Sequence, residues 1–242
     1  MLTDSVSTTI PGVHRQQRLV LVIAVLASFV AFLDSSVINV ALPAISTELG
    51  GGLSTQQWVV DAYLITLSSL ILLAGSLSDV FGRIVVLRVG LIAFGVSSLL
   101  IAISPSAEFL IVLRGVQGIA GALLVPSSLA LITSTMVEPL RSRAIGIWTA
   151  STTAAMIVGP LLGGFITTYL SWRIAFVGEV VIIAIVLCGI GLVRDVEYTG
   201  PRGVDPVGAL LSVLGMGGIV LGILVWQEGG EAVGILLVLG AA

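Results

Sequence analysis

Gly75-Ser76-Leu77-Ser78-Asp79-Val80-Phe81-Gly82-Arg83, with Arg88 close behind, decides how this chain folds. It is a densely charged stretch between two apolar segments, 58–77 and 84–103, both poor in ionisable groups. Each has about the 20 residues that a helix needs to cross a 30 Å hydrocarbon core, so the stretch between them reads as a short loop at a membrane face. Gly75 and Gly82 supply backbone freedom for a sharp antiparallel turn. Asp79 and Arg83 are four apart, which sets a carboxylate and a guanidinium on one side of a helical turn, where they can pair or reach a neighbouring helix end. An ordinary charged inter-helix turn has the same ingredients.

Composition extends this reading to the whole chain. Of 242 residues, 57% are hydrophobic and only 10% charged, and the mean hydropathy is +1.19. That profile is remote from soluble domains. Only helices hide so much backbone in lipid without an alternating pattern of period two, which is absent here. The fold class is an all-α integral membrane protein. One cysteine, Cys188, sits in an apolar run; it excludes an internal disulfide and reads as a buried packing thiol.

From the N-terminus, residues 1–17 are polar and read as a disordered cytoplasmic arm, with the lone His14 solvated. Spans are expected at about 19–42, 58–77, 84–103, 109–132, 144–168, 174–193 and 207–226. An eighth begins at Ala232; its 11 residues rise only about 16 Å as a helix, so a truncated eighth span is expected. With the N-terminus inside, Arg15, Arg18, Arg83, Arg88, Arg141, Arg143, Arg194 and Arg202 all fall on the inner side, against Arg173 in an outer loop and Arg114 within a helix. This asymmetry predicts a cytoplasmic N-terminus in a cell membrane. The longest inner segment, 194–206, contains Gly200-Pro201-Arg202-Gly203 and divides a six-helix bundle over 18–193 from the seventh helix and incomplete eighth helix over 207–242.

Ionisable residues at membrane depth are costly and mark function by default. Asp34 lies about 22 Å along its helix from Leu19, beyond the midplane, and Arg114 lies at a comparable depth. Together they would relieve each other's desolvation, and the carboxylate could exchange a proton as a cavity opens. A structural salt bridge pinning two helices is the alternative. Asp61 and Glu179 each fall within about two turns of an outer helix end, where a side chain can reach water; with Asn39 they are candidates for a substrate cavity. Gln117, three residues after Arg114, shares its side of the helix, and Gly118, Gly121 and Ala122 form a small-residue packing face. Gly159-Pro160-Leu161-Leu162-Gly163-Gly164 combines a missing amide with small residues, predicting a bendable helix with an approachable backbone.

Gly-x-Leu-x-Asp-x-x-Gly-Arg at 75–83 resembles the signature between the second and third helices of the major facilitator superfamily, departing from it at Val80 and Ile84, where basic residues are common. The fourth-span pattern from Leu110 to Ala122 and the Gly-Pro pattern of the fifth also resemble that superfamily, the latter its proton-driven exporters, with Ala155 standing where glycine is usual. Leu33-Asp34-Ser35-Ser36-Val37-Ile38-Asn39-Val40-Ala41-Leu42-Pro43, Trp172-Arg173 and Asp205-Pro206-x-Gly208 look like the fourteen-spanner drug/proton antiporter branch.

The resemblance implies a six-helix bundle plus a seventh helix, and proton-coupled drug efflux. It implies proton coupling through Asp34, Arg114 and Gln117, gating by the turn with Gly75, Asp79, Gly82 and Arg83, and an antiporter bend at Gly159, Pro160, Gly163 and Gly164. The partners it implies are membrane lipid, a small-molecule substrate with protons, and a missing C-terminal half or a second copy; no nucleic acid and no cofactor are expected. A remnant without transport of its own and a sugar or metabolite facilitator are the alternatives. No Walker-type loop, histidine pair or nucleophile–base dyad points to catalysis.

Overall fold

The computed structural model describes residues 11–193, 206–227 and 238. Among them the chain forms seven helices: α1 (Pro11–Leu49), α2 (Gly52–Phe81), α3 (Arg83–Ala102), α4 (Ala107–Thr135), α5 (Leu140–Tyr169), α6 (Trp172–Ile190) and α7 (Pro206–Gln227). No strand occurs among the described residues. All seven helices are long and apolar enough to cross a membrane, which makes this a multi-pass membrane protein.

Five of the helices, α1, α2, α4, α5 and α7, overrun the hydropathy-based spans because a helix does not stop where lipid stops, while α3 is shifted by one residue and α6 ends three residues sooner. At 39 residues, α1 is about 58 Å long, nearly twice the hydrocarbon thickness. It begins at Pro11, so residues 11–17, expected in the disordered arm, are its first turns. Residues 1–10, the linker over 194–205 with Arg194 and Arg202, and the segment 228–242 with the expected eighth span, Val238 apart, lie outside the described residues.

The charged stretch at 75–83 also differs from expectation. Residues Gly75 to Phe81 are the last turns of α2, and only Gly82 leaves the helix, with φ 93° and ψ 136°. That conformation is open to glycine alone, so one residue makes the turn into α3. Gly75 makes no turn; it is an ordinary helical position with open space around it.

α1 lies against α2, α4, α5 and α6, while α4 lies against α2 and α3 as well; α7 packs on α2. Beside a small group of Leu33, Val37, Ala155 and Ala175, where α1 meets α5 and α6, the core divides into two large apolar clusters. One joins Val20, Ala24, Ala27 and Ala31 of α1 to Leu87, Leu91 and Phe94 of α3, Leu124 and Ile132 of α4 and Ile183 of α6. The other, toward the α1 C-terminus, joins Ile38, Ala41 and Ile45 to Val59, Ile101, Leu110, Trp172 and Phe176. On α1, α3, α4 and α6 the two clusters leave the same gap, and polar side chains fill it. Beyond the second cluster, Trp172 Nε1 donates to Glu48 Oε2 at 2.7 Å, and Arg173 pairs with Glu48, donates to the Ser104 carbonyl at 2.9 Å and stacks over Trp172. These contacts tie the end of α1, the α3–α4 turn and the start of α6 into one corner.

Candidate functional site

The gap between the two cores holds Asp34 from α1, Ser98 from α3, Arg114 and Gln117 from α4 and Glu179 from α6, all at most 3% exposed. Arg114 Nη1 donates to both Asp34 carboxylate oxygens at 2.9 and 2.8 Å and to Gln117 Oε1 at 2.6 Å. Arg114 Nε donates to the Val59 carbonyl of α2 at 3.1 Å. The guanidinium carbon lies 4.4 Å from the centroid of the Tyr63 ring, a cation–π contact in a dry setting.

With its carbonyl held by Arg114, the Gln117 amide must aim its NH2 the other way. That group donates to Ser98 Oγ at 2.8 Å and to Glu179 Oε2 at 3.4 Å. Ser98 Oγ in turn donates to Glu179 Oε2 at 2.9 Å. The result is a continuous polar layer across four helices, Asp34–Arg114–Gln117–Ser98–Glu179, with α2 supplying a carbonyl and an aromatic face.

Glycines let the helices close around this layer. A Cβ on Gly118 would lie 2.3 Å from the Tyr63 carbonyl oxygen, and one on Gly121 would lie 2.9 Å from the Tyr63 hydroxyl. The small-residue face of α4 therefore receives α2 and seats Tyr63 over Arg114. On the other side, a Cβ on Gly95 would lie 3.2 Å from Ile183, so α3 and α6 meet closely where Ser98 and Glu179 join.

The structure brings Asp34, Arg114 and Gln117 together and separates the three cavity candidates. Glu179 is a correction: it does not reach water near a helix end but is buried in the layer, because α3 and α4 cover it. Asn39 is exposed and donates to the Ser35 carbonyl of its own helix at 2.8 Å. Asp61 is half-buried and lines a groove of about 340 Å³ with Leu42, Leu53, Gln56, Gln57 and Val60. Cys188, expected to be buried, is exposed on α6.

Pro160 sits within one continuous helix, α5. Its missing N–H frees the carbonyl of Met156, and Ser36 Oγ of α1 donates to that carbonyl at 2.9 Å. Gly159 and Gly163 make the approach possible: their Cβ atoms would lie 2.5 Å from Ser36 Cβ and 3.2 Å from the Val37 carbonyl, whereas one on Gly164 would only touch Val40 at 3.9 Å. At the α2–α3 turn, Arg83 Nη2 and Asp79 Oδ1 are 3.5 Å apart, the carboxylate exposed and the arginine half-buried, a weak pair at that distance. Arg83 Nε is buried with no acceptor among the described residues.

Nothing in the local sequence singles out Ser98, Tyr63 or Ser36. Serine and tyrosine are common in apolar spans, and only packing selects these ones. For Ser36 one signal does exist: a proline in mid-span leaves a carbonyl that some donor must satisfy.

The chain matches the family described as Major Facilitator Superfamily over residues 24–241. It is 36% identical over 238 residues to the puromycin resistance protein pur8 of Streptomyces alboniger, covering 95% of this chain and 46% of that protein. It is 36% identical over 182 residues to the multidrug efflux pump LfrA of Mycolicibacterium smegmatis, covering 74% and 36%. To the multidrug export protein EmrB of Escherichia coli (strain K12) it is 34% identical over 206 residues, covering 84% and 40%. It spans about half the length, or less, of these curated relatives. A crystal structure of the peptide transporter POT superposes with a TM-score of 0.66 at 16% identity, covering 88% of this chain and 46% of that one. A bacterial homologue of the human lysosomal transporter Spinster, inward-facing, superposes with a TM-score of 0.62 at 19% identity, covering 92% and 58%. These structures are likenesses of fold alone. With the family match running through almost all of its length and a helical bundle of that kind, the chain belongs to the Major Facilitator Superfamily.

Proposed function

We propose that this chain is the N-terminal bundle of a proton-coupled exporter of small amphipathic molecules, of the fourteen-spanner drug/proton antiporter branch. It sits in the cytoplasmic membrane with its N-terminus inside. The observation that carries the reading is the Asp34–Arg114 pair, buried on both sides, with both carboxylate oxygens on one guanidinium nitrogen. A proton arriving on Asp34 removes the charge that holds Arg114. The guanidinium then turns to Gln117 and to the Tyr63 face, and the contacts between α1, α2 and α4 change with it. Breaking such a buried pair costs about 3–5 kcal/mol. A proton descending a membrane potential gains about 2.3 kcal/mol per 100 mV, so the two are of one order and the exchange can run in either direction.

The names of the relatives, a puromycin resistance protein and multidrug efflux pumps among them, support export of drug-like molecules. The partners are membrane lipid, substrate and protons, and a second six-helix half that closes the cavity and accepts the free Arg83 donor. The chemistry is translocation rather than catalysis.

The test is puromycin-driven proton movement in inside-out vesicles carrying the chain, alone and co-expressed with the C-terminal half of a relative, with insertion checked separately. Flux that disappears in Asp34→Asn supports the reading. Flux unchanged in Asp34→Asn removes Asp34 from the mechanism, and silence in both arrangements refutes the exporter.

A further inference from the structure

Two carboxyl groups and one guanidinium occupy the layer between the cores, and they are not equivalent. Asp34 takes Arg114 directly through both oxygens. Glu179 reaches the guanidinium only through neutral groups: its Oε2 accepts from Ser98 Oγ and from the Gln117 amide, whose other end faces Arg114. Around Glu179 stand Asp34 from α1, Tyr63 from α2, Arg114 from α4 and, from α3, Ser98. Arg114 is the one cation among them, so with both acids ionised the buried layer carries a net negative charge. A charge left without a partner in a dry interior is costly, and the group takes up a proton instead. A second feature agrees. Both carboxyls belong to one hydrogen-bonded chain, Asp34–Arg114–Gln117–Glu179, so the charge state of one bears on the other.

We propose that Glu179 is a second proton-carrying group of this centre, a neutral acid at rest beside the Asp34–Arg114 pair, and that one proton moves between the two carboxyls along the hydrogen-bonded layer. In the transfer the Glu179 O–H bond breaks and an Asp34 O–H bond forms. Glu179 is left as the carboxylate, Asp34 as the acid, and the total charge of the layer is unchanged. Arg114 loses its direct partner in the same step and is drawn toward Gln117 and the newly charged Glu179, from α1 toward α6. The proton that loosens Asp34 thus comes from within the bundle, and the one taken from water replaces it on Glu179.

The resting proton stands on the geometry alone; only its use in coupling rests on the exporter reading. The test is infrared absorption of the purified chain in lipid bilayers at neutral pH, where a protonated carboxyl shows a C=O band distinct from carboxylate bands. The expected result is one such band that is lost in Glu179→Gln and shifted in Glu179→Asp; in Asp34→Asn it weakens, because Glu179 is then the carboxyl left to balance Arg114. The unmutated protein gives the same answer without a folding risk: carbon-13 labelling of glutamate carboxyls should move the band, and labelling of aspartate should not. A band that tracks the aspartate label, or no acid band at all, overturns the proposal. Proton flux is a separate readout: a silent vesicle with the glutamate band present defeats the exporter reading and leaves the protonated Glu179 standing.

Discussion

Replacing Gly118 with alanine should unseat α2 from the charge layer. The added Cβ would lie 2.1 Å from Thr66 Oγ1 and 2.3 Å from the Tyr63 carbonyl oxygen, where ordinary contact begins at 3.4 Å. The threonine side chain can rotate, but the carbonyl belongs to the backbone of α2, so α2 must retreat by about 1 Å. Retreat carries Val59 away from Arg114 Nε, now 3.1 Å from its carbonyl, and lifts the Tyr63 ring off the guanidinium. Overpacking costs about 1–3 kcal/mol, and a hydrogen bond to a charged group is worth about 1.5–3 kcal/mol. A total of about 2.5–6 kcal/mol is expected. Gly115→Ala is the internal control, one turn earlier on α4: its Cβ meets Thr66 Cγ2 at 3.8 Å, an ordinary contact. It should be neutral or stabilising by up to about 1 kcal/mol through helix propensity. The assay is unfolding of the purified proteins in mixed micelles with a denaturing detergent, monitored by circular dichroism. Adding Thr66→Ala to Gly118→Ala should recover less than half of the loss. Equal stability of the Gly118 and Gly115 variants, or full recovery with Thr66→Ala, would refute the backbone argument.

Ser36→Ala should cost about 0.5–1.5 kcal/mol by stranding the Met156 carbonyl, and most of that cost should vanish on top of Pro160→Ala, which restores the amide; additive losses in the double-mutant cycle would contradict the assignment. Gly82→Ala should cost about 1–3 kcal/mol from backbone strain alone, since nothing lies within 4 Å of its Cβ. Gly82→Asn should do no better, because ψ 136° is outside the left-handed helical region that asparagine tolerates; a stable asparagine variant would mean the turn can re-form. Glu48→Gln keeps an acceptor for Trp172 but loses the ion pair with Arg173; as these side chains are 48% and 26% exposed, the loss should stay under about 1 kcal/mol and shrink with added salt, and a salt-independent loss above that would contradict it.

Hydropathy locates each of the seven helices because the bilayer demands apolar runs of a set length. It misses their ends, since α1 and α2 run on through residues lipid does not constrain. Gly75 looks like a turn because glycine breaks helices in water; inside a long apolar helix it merely continues one, and only the φ of Gly82 distinguishes the two. Asp34 and Arg114 stand out through the cost of charge at membrane depth. Glu179 carries the same cost and is misplaced by it, because depth along a helix says nothing about which neighbours cover a side chain. Ser98 and Gln117, 81 and 62 residues away, decide that, and no local pattern encodes them. The pairing of Ser36 with Met156 is hidden for a like reason: proline announces a free carbonyl but not its donor.

Two of the close glycine contacts differ in what opposes them, and the difference governs how this bundle can drift over generations. At position 159 the obstacle is a side chain, Ser36; at position 118 it is a main-chain oxygen. A side chain can be edited away. Alanine at 159 becomes acceptable once 36 is glycine, but the hydroxyl on the Met156 carbonyl is then gone, and the pressure passes to Pro160. Positions 36, 159 and 160 should therefore change as a linked set in related sequences. Position 118 has no residue to bargain with, because every amino acid at 63 brings the same oxygen, and it should stay glycine whatever its neighbours become.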